Sequence, residues 1–185
     1  MIYISAGHNS QSKTIKKDSG AVNKQGIKEG DLTIEFRNLV SSELSKLGVK
    51  HILDSDEESL AMYLNRIKTG NGSVICEYHF DSAASELATG CTGLIEEEAD
   101  RLDKAFAKEL IDSTAITLGI RNRGVISEKD SHRGRLGLMR EEGLICLIEL
   151  GFLSNPNDLV KYHAGKVALA KKHAEILKKY ENIIS

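Results

Sequence analysis

The chain has 185 residues, 41% hydrophobic and 28% charged, which fits one globular domain with a sizeable core and excludes a disordered chain. Its 25 lysines and arginines against 27 aspartates and glutamates leave a net charge of −2, so bulk charge does not hold it to DNA or to an anionic membrane. Tryptophan is absent and aromatics make up 5%, which disfavours a base-stacking platform for nucleic acid.

The N-terminus, MIYISAGHNS, has neither a basic n-region nor a long apolar h-region, so synthesis in the cytoplasm without a signal peptide is expected. Ile2–Ser5 reads as a strand entering a tight loop at Ala6-Gly7. Residues 9–30 are polar, with Lys13, Lys16 and Lys17 clustered, and a loop that long is more often functional than idle. Leu32, Phe36, Leu39, Val40, Leu44 and Leu47 recur near the 3.6-residue period, an amphipathic helix stopped by Gly48. A second strand is expected over residues 49–53, and Leu60, Leu64 and Ile67 mark a short helix. Residues 73–78 read as a buried strand followed at once by His79, with a loop over 79–89 and another strand over 92–96. Leu102, Phe106, Leu110 and residues 114–118 form a second helical stripe that ends at Gly119. Residues 121–140 are rich in glycine and arginine with little period, and 143–150 carry the most apolar run of the chain. A last helix is expected from about Leu159, with Val167, Ala170, Ala174 and Leu177 on its inner stripe and Lys171, Lys172 and His173 on its solvated face. No run approaches the roughly 18 apolar residues that cross a bilayer, so no stable membrane anchor is expected. Cys76, Cys91 and Cys146, an odd number in a chain large enough to need no staples, read as reduced.

Strands alternating with helices imply an α/β fold: a twisted, largely parallel (mixed) sheet of about six strands flanked by helices on both faces. In such sheets a site forms beyond the carboxyl ends of the strands. His8, His79 and Glu149 converge there in this arrangement. A catalytic zinc takes about three imidazole or carboxylate ligands and keeps one position open. Two histidines are present, and Glu29 or Glu149 would complete the set. Taken singly, a histidine after a strand is ordinarily a hydrogen-bonding residue, and a glutamate in the first turn of a helix is explained by the dipole. Glu149 is harder to dismiss, because a carboxylate after five apolar residues needs a partner, a proton or a metal.

Glu149-Leu150-Gly151-Phe152-Leu153-Ser154-Asn155 with Asp158 resembles the terminal motif of the zinc-dependent N-acetylmuramoyl-L-alanine amidases of the amidase-3 type, found in bacterial cell-wall amidases and phage endolysins. Gly7-His8, Glu29, Tyr78-His79-Phe80-Asp81-Ser82-Ala83 and Arg123-Gly124-Val125 with Leu136-Gly137-Leu138-Met139-Arg140 follow the family's order, so the resemblance spans about residues 1–178. It implies that His8, Glu29 and His79 bind one zinc, that Glu149 is the catalytic carboxylate, and that peptidoglycan is the substrate. The bond cut would be the amide between the lactyl group of N-acetylmuramic acid and L-alanine. It also implies a single catalytic domain over 1–185 without a separate wall-binding module; with no signal peptide, action on the wall after lysin-like release is expected. The oligomeric state has no sequence signal.

Three departures accompany the match. Asn9 stands where a second small residue is common, Glu77 where serine is usual, and Asp81 where asparagine is usual. In a strand Glu77 and His79 point the same way, so Glu77 is either a partner that orients His79 or a surface acid. Asp81 adds a charge near the metal. His132, Arg135 and Arg140 are either donors for an oxyanion or a stem-peptide carboxylate, or ordinary loop charges. A zinc carboxypeptidase acting on wall peptides and a wall-binding module without activity are the alternatives to the amidase.

Overall fold

The computed structural model describes residues 1–131 and 134–185. In chain order the elements are β1 (Ile2–Ser5), α1 (Glu29–Lys46), β2 (His51–Leu53), α2 (Leu60–Arg66), β3 (Val74–Asp81), β4 (Cys91–Ile95), α3 (Arg101–Leu118), β5 (Asn122–Ser127), β6 (Leu144–Phe152) and α4 (Pro156–Ile184). Short 3-10 turns occupy Glu128–Ser131 and Gly137–Arg140. The strands form one sheet in the order β2-β1-β3-β6-β4-β5. Every neighbouring pair is parallel except β4 and β6, which run antiparallel.

Strand alternation divides the core in two. Ile2, Ile4, Val74, Cys76, Tyr78, Phe80, Cys146 and Ile148 face one side, where α1, α3 and α4 cover them. Phe36 of α1 is wholly buried there, edge-on to Tyr78 at 4.9 Å between ring centroids. Burial of a ring that size contributes on the order of 2–3 kcal/mol. Tyr3, Ile75, Ile145 and Leu147 face the other way, under Tyr63 and Ile67 at α2 and Leu138 and Met139 of the second 3-10 turn. This second layer is thin and stops short of the carboxyl end of β3 and β6. The same alternation puts Glu77, His79 and Glu149 on the thinly covered face.

The α/β architecture with six strands and helices on both faces is as expected, and four local expectations are corrected. Strand β3 continues through His79 to Asp81, because its last residues pair with β6 and spend their polar side chains on the site. Within 121–140 lies a further strand, β5, at the sheet edge, where Asn122 and Arg123 face solvent and erase the apolar alternation. Helix α4 begins at Pro156, because Asn155 caps the Asn157 and Asp158 amides and proline suits a first helical position. On that helix Val167 is 60% exposed and His173 is fully buried, the reverse of the expected faces. The three cysteines are buried and unpaired. Among the described residues no helix is long and apolar enough to cross a membrane.

Candidate metal centre and cleft

Three elements deliver three donor atoms to one place. His8 follows β1, Glu29 is the first residue of α1, and His79 lies near the end of β3. Glu29 Oε1 is 3.2 Å from His8 Nε2 and 2.9 Å from His79 Nδ1, and one donor from each residue lies within 4.8 Å of the others. Two ligands bonded at about 2.0–2.1 Å to a tetrahedral zinc sit roughly 3.3 Å apart, so the spacing and the two-imidazole, one-carboxylate chemistry fit such an ion. Glu29 is held from behind by its own backbone surroundings: its carboxylate accepts from the amides of Phe80 at 3.0 Å and Ala21 at 2.9 Å.

Each histidine has its second ring nitrogen engaged by a carboxylate. His79 Nε2 lies 3.0 Å from Glu77 Oε1, and Ser5 Oγ donates to Glu77 Oε2 at 2.8 Å. Glu77 is 2% exposed, so it stands beside the His79 ring as a buried carboxylate and not as a surface acid. His8 Nδ1 lies 3.0 Å from Asp18 Oδ2. These contacts leave Nε2 of His8 and Nδ1 of His79 to face Glu29, so the outer partner of each ring sets which nitrogen it would offer a metal. Asp18 is a site residue the sequence reading missed, because a lone aspartate in a polar loop carries no pattern. Asn9 accepts from the Asp18 amide at 2.6 Å, so that departure from the family pattern shapes the loop bearing Asp18.

Two glycines let the backbone close on this cluster. Gly7 has φ +67°, and a Cβ there would stand 2.3 Å from His79 Nε2. Gly20 has φ +61°, and its Cβ would stand 2.5 Å from Glu29 Oε2 and 2.7 Å from His8 Nε2. Both need a residue without a side chain, for conformation and for space.

The charges are arranged to attract a cation. Burial would lower the His79 pKa, but hydrogen bonds to Glu29 and Glu77 outweigh it and push it up to about 10. His8 is likewise raised, burial being overcome by Glu29 and Asp18. Burial would raise Glu29, yet its contacts with the two imidazoles hold it well below the usual carboxylate range. A proton held at these imidazoles occupies the position a metal would take.

Glu149 is 2% exposed and pairs laterally with His79 across the β3–β6 ladder. It opens into a cleft of about 400 Å³ shared with Asp81, Arg121, Arg123, Thr92 and Asp130. The guanidinium of Arg123 is steadied over the Phe152 ring, 5.2 Å from its centroid. Arg135 and Arg140 line a different cavity, walled by Glu96, Glu97, Glu98 and Glu128, and Arg140 pairs with Glu128. Among the described residues, the arginines placed in the cleft with Glu149 are thus Arg121 and Arg123. His132 lies outside the described residues.

Comparison with known proteins agrees with this geometry. The family model described as N-acetylmuramoyl-L-alanine amidase, amidase-3, matches residues 2–179. A search of the curated proteins found no match. Among solved structures, the N-acetylmuramoyl-L-alanine amidase of Clostridium difficile 630 superposes with a TM-score of 0.78 at 19% identity, covering 98% of this chain and 96% of that one. The catalytic domain of the amidase CwlV of Bacillus (Paenibacillus) polymyxa var. colistinus gives 0.76 at 22% identity, with 100% and 98% covered. The catalytic domain of the CD27L endolysin targeting Clostridia difficile gives 0.69 at 18% identity, covering 96% of each chain. At these identities the structures establish the shared fold.

Proposed function

Because the chain belongs to the amidase-3 family of N-acetylmuramoyl-L-alanine amidases, hydrolases that act on peptidoglycan, we propose that it uses one zinc ion to cleave the amide joining the lactyl group of N-acetylmuramic acid to L-alanine. The observation that carries this reading is the convergence of His8, Glu29 and His79, one strand away from a buried Glu149 that opens into a cleft. When bound, zinc supplies Lewis acidity, which makes water a nucleophile near neutral pH and polarises an amide carbonyl.

The chain's own residues supply the rest. His8, Glu29 and His79 hold the ion, and Glu77 and Asp18 fix which imidazole nitrogen each histidine offers. Glu149 takes a proton from the attacking water and returns it to the departing alanine nitrogen, so that the C–N bond breaks to a free carboxylate and a free amine. Arg121 and Arg123 border the same cleft as donors for substrate oxygens. Residues 1–185 act in this reading as one catalytic unit working on the cell wall.

Purified sacculi provide the test. The zinc-loaded protein should release free L-alanine amino groups, a strong chelator should stop the release, and added zinc should restore it. Glu149→Gln should lower kcat by about 10²–10⁴-fold while zinc binding persists. Full activity under chelation would overturn the metal reading, and release of C-terminal amino acids instead would point to a peptidase.

A further inference from the structure

The segment that carries Asp18 and Gly20 to the metal centre is polar, and its fastening lies at some distance from the ligands. Four contacts organise residues 9–20. Asn9 binds the Asp18 amide, Ser10 Oγ donates to Asp31 at 2.7 Å, the Gly20 amide donates to Asp18 Oδ1 at 3.0 Å, and buried Ser12 takes the Ile15 amide at 3.1 Å. The tip of the loop is then gripped from outside by one carboxylate. Glu57 accepts the Lys13 amide at 3.0 Å, the Thr14 amide at 2.9 Å, Thr14 Oγ1 at 2.6 Å and Ser12 Oγ at 3.0 Å. These bonds push the Glu57 carboxyl down to about 2, the Thr14 hydroxyl being the largest cause.

Glu57 belongs to the turn between β2 and α2, and that turn is itself anchored. Asp54 and Asp56 bind Arg37 of α1 at 2.7 and 2.8 Å. Asp54 Oδ2 also accepts the Ala6 amide at 3.0 Å, immediately before Gly7-His8. One turn therefore grips the His8 segment on both sides, through Asp54 ahead of it and Glu57 beyond it. The Asp18 side chain is 64% exposed, so its position depends on this fastening.

We propose that Glu57 is a positioning residue for the metal centre: it clamps residues 12–14 so that Asp18 meets His8 and Gly20 closes over His8 and Glu29, and it thereby sets how tightly the ion is held without touching it. The proposal rests on the metal reading given above. Its action runs through Asp18, so the two residues form one unit and their removal is not independent. Outer partners of ligating histidines are worth about 10–100-fold in metal affinity, and a clamp acting through such a partner belongs at the lower end of that range.

Two measurements on the whole chain test this. In the metal-free protein, hydrogen exchange at the amides of Thr14, Ile15, Asp18 and Gly20 should quicken in Glu57→Ala, less in Glu57→Gln, while amides of β3 and β6 stay as in the parent. Zinc affinity, read by competition with a chromophoric chelator, should weaken about 10-fold in Glu57→Ala. The double variant with Asp18→Asn should be no weaker than the weaker single variant. Unchanged exchange in the loop, parent-like zinc affinity, or losses that multiply in the double variant would each overturn the proposal. A parent that binds no zinc but shows the expected exchange pattern would overturn the metal reading and, with it, the link from the clamp to the ion.

Discussion

The two histidines of the candidate metal centre are held in opposite ways. His79 stands in a strand whose neighbours on both sides are in ladder register, and its partner Glu77 sits two residues earlier on the same face, 2% exposed and fixed in turn by Ser5 of β1. His8 stands at the end of a strand in an irregular segment, and its partner Asp18 comes from a loop with its side chain 64% exposed. A strand places a ligand through many backbone bonds at once, so one lost contact moves it little but a misfit has nowhere to go. A loop places a ligand through a few polar contacts, each replaceable by water, so misfits relax and lost contacts are felt as mobility.

The largest expected effects come from forcing a side chain against each half. Gly7→Ala sets a Cβ 2.3 Å from an imidazole pinned between Glu77 and Glu29, in a backbone conformation with φ +67°. It should cost about 2–4 kcal/mol of stability, together with at least about 100-fold in zinc affinity. Gly20→Ala meets Glu29 and His8 almost as closely, but its loop can swing away. It should cost about 1 kcal/mol and still lose zinc affinity, because the retreating loop takes Asp18 with it. Thermal unfolding of the metal-free proteins reads the difference, and equal losses of stability would erase the distinction between strand-held and loop-held ligands.

Removing the outer partners is the milder version of the same comparison. Glu77→Gln leaves a buried ring nitrogen facing a neutral amide that water cannot reach, and zinc affinity should fall toward 100-fold. Asp18→Asn leaves a nitrogen that water reaches readily, and the fall should be nearer 10-fold. Chelator competition measures both, and a larger loss from Asp18→Asn would invert the ranking drawn from burial.

Much of this was legible before the structure. The apolar runs of β1, β3 and β6 and the stripes of α1 and α3 place the sheet and its helices, and His8, His79 and Glu149 at the ends of those runs with Glu29 just ahead of the α1 stripe bring the candidate site together. What could not be read are features made by contact across the fold. Strand β5 carries Asn122, Arg123 and Gly124 on an edge that needs no apolar alternation. Asp18 is a lone acid in a polar loop and Glu57 is one of four acids among residues 54–58, and their partners lie 10 and some 43–45 residues away. Arg121 and Arg123 reach the cleft because β5 aligns beside β4, whereas Arg135 and Arg140 are drawn to an acidic wall. His173 is a different case. Its period with Leu169, Ala170, Ile176 and Leu177 marked the inner face of α4, and the two preceding lysines obscured it.

That third buried imidazole carries the contrast beyond the site and gives the smallest effect on zinc. His173 packs against Tyr78 and Phe36 with Thr114 Oγ1 2.9 Å from its Nε2, and no carboxylate faces it. Burial therefore pushes its pKa down to about 3, while His79, equally buried between two carboxylates, is pushed up. In the unfolded chain the group titrates near its ordinary value of about 6.5. Between those two values the unfolded chain holds a proton that the folded chain refuses, so stability falls as the pH drops through the window. The slope is about 1.4 kcal/mol per pH unit. In His173→Leu that contribution disappears, and with metal chelated the urea-unfolding stability of the variant should decline less steeply than the parent's from pH 6 to pH 4. Zinc affinity at neutral pH should be unchanged, since the residue's contacts are Phe36, Tyr78 and Thr114 rather than the ligands. Parallel stability curves for the two proteins would mean that His173 is protonated in the folded state, and the carboxylate-free core would then lose its role in separating the two kinds of buried histidine.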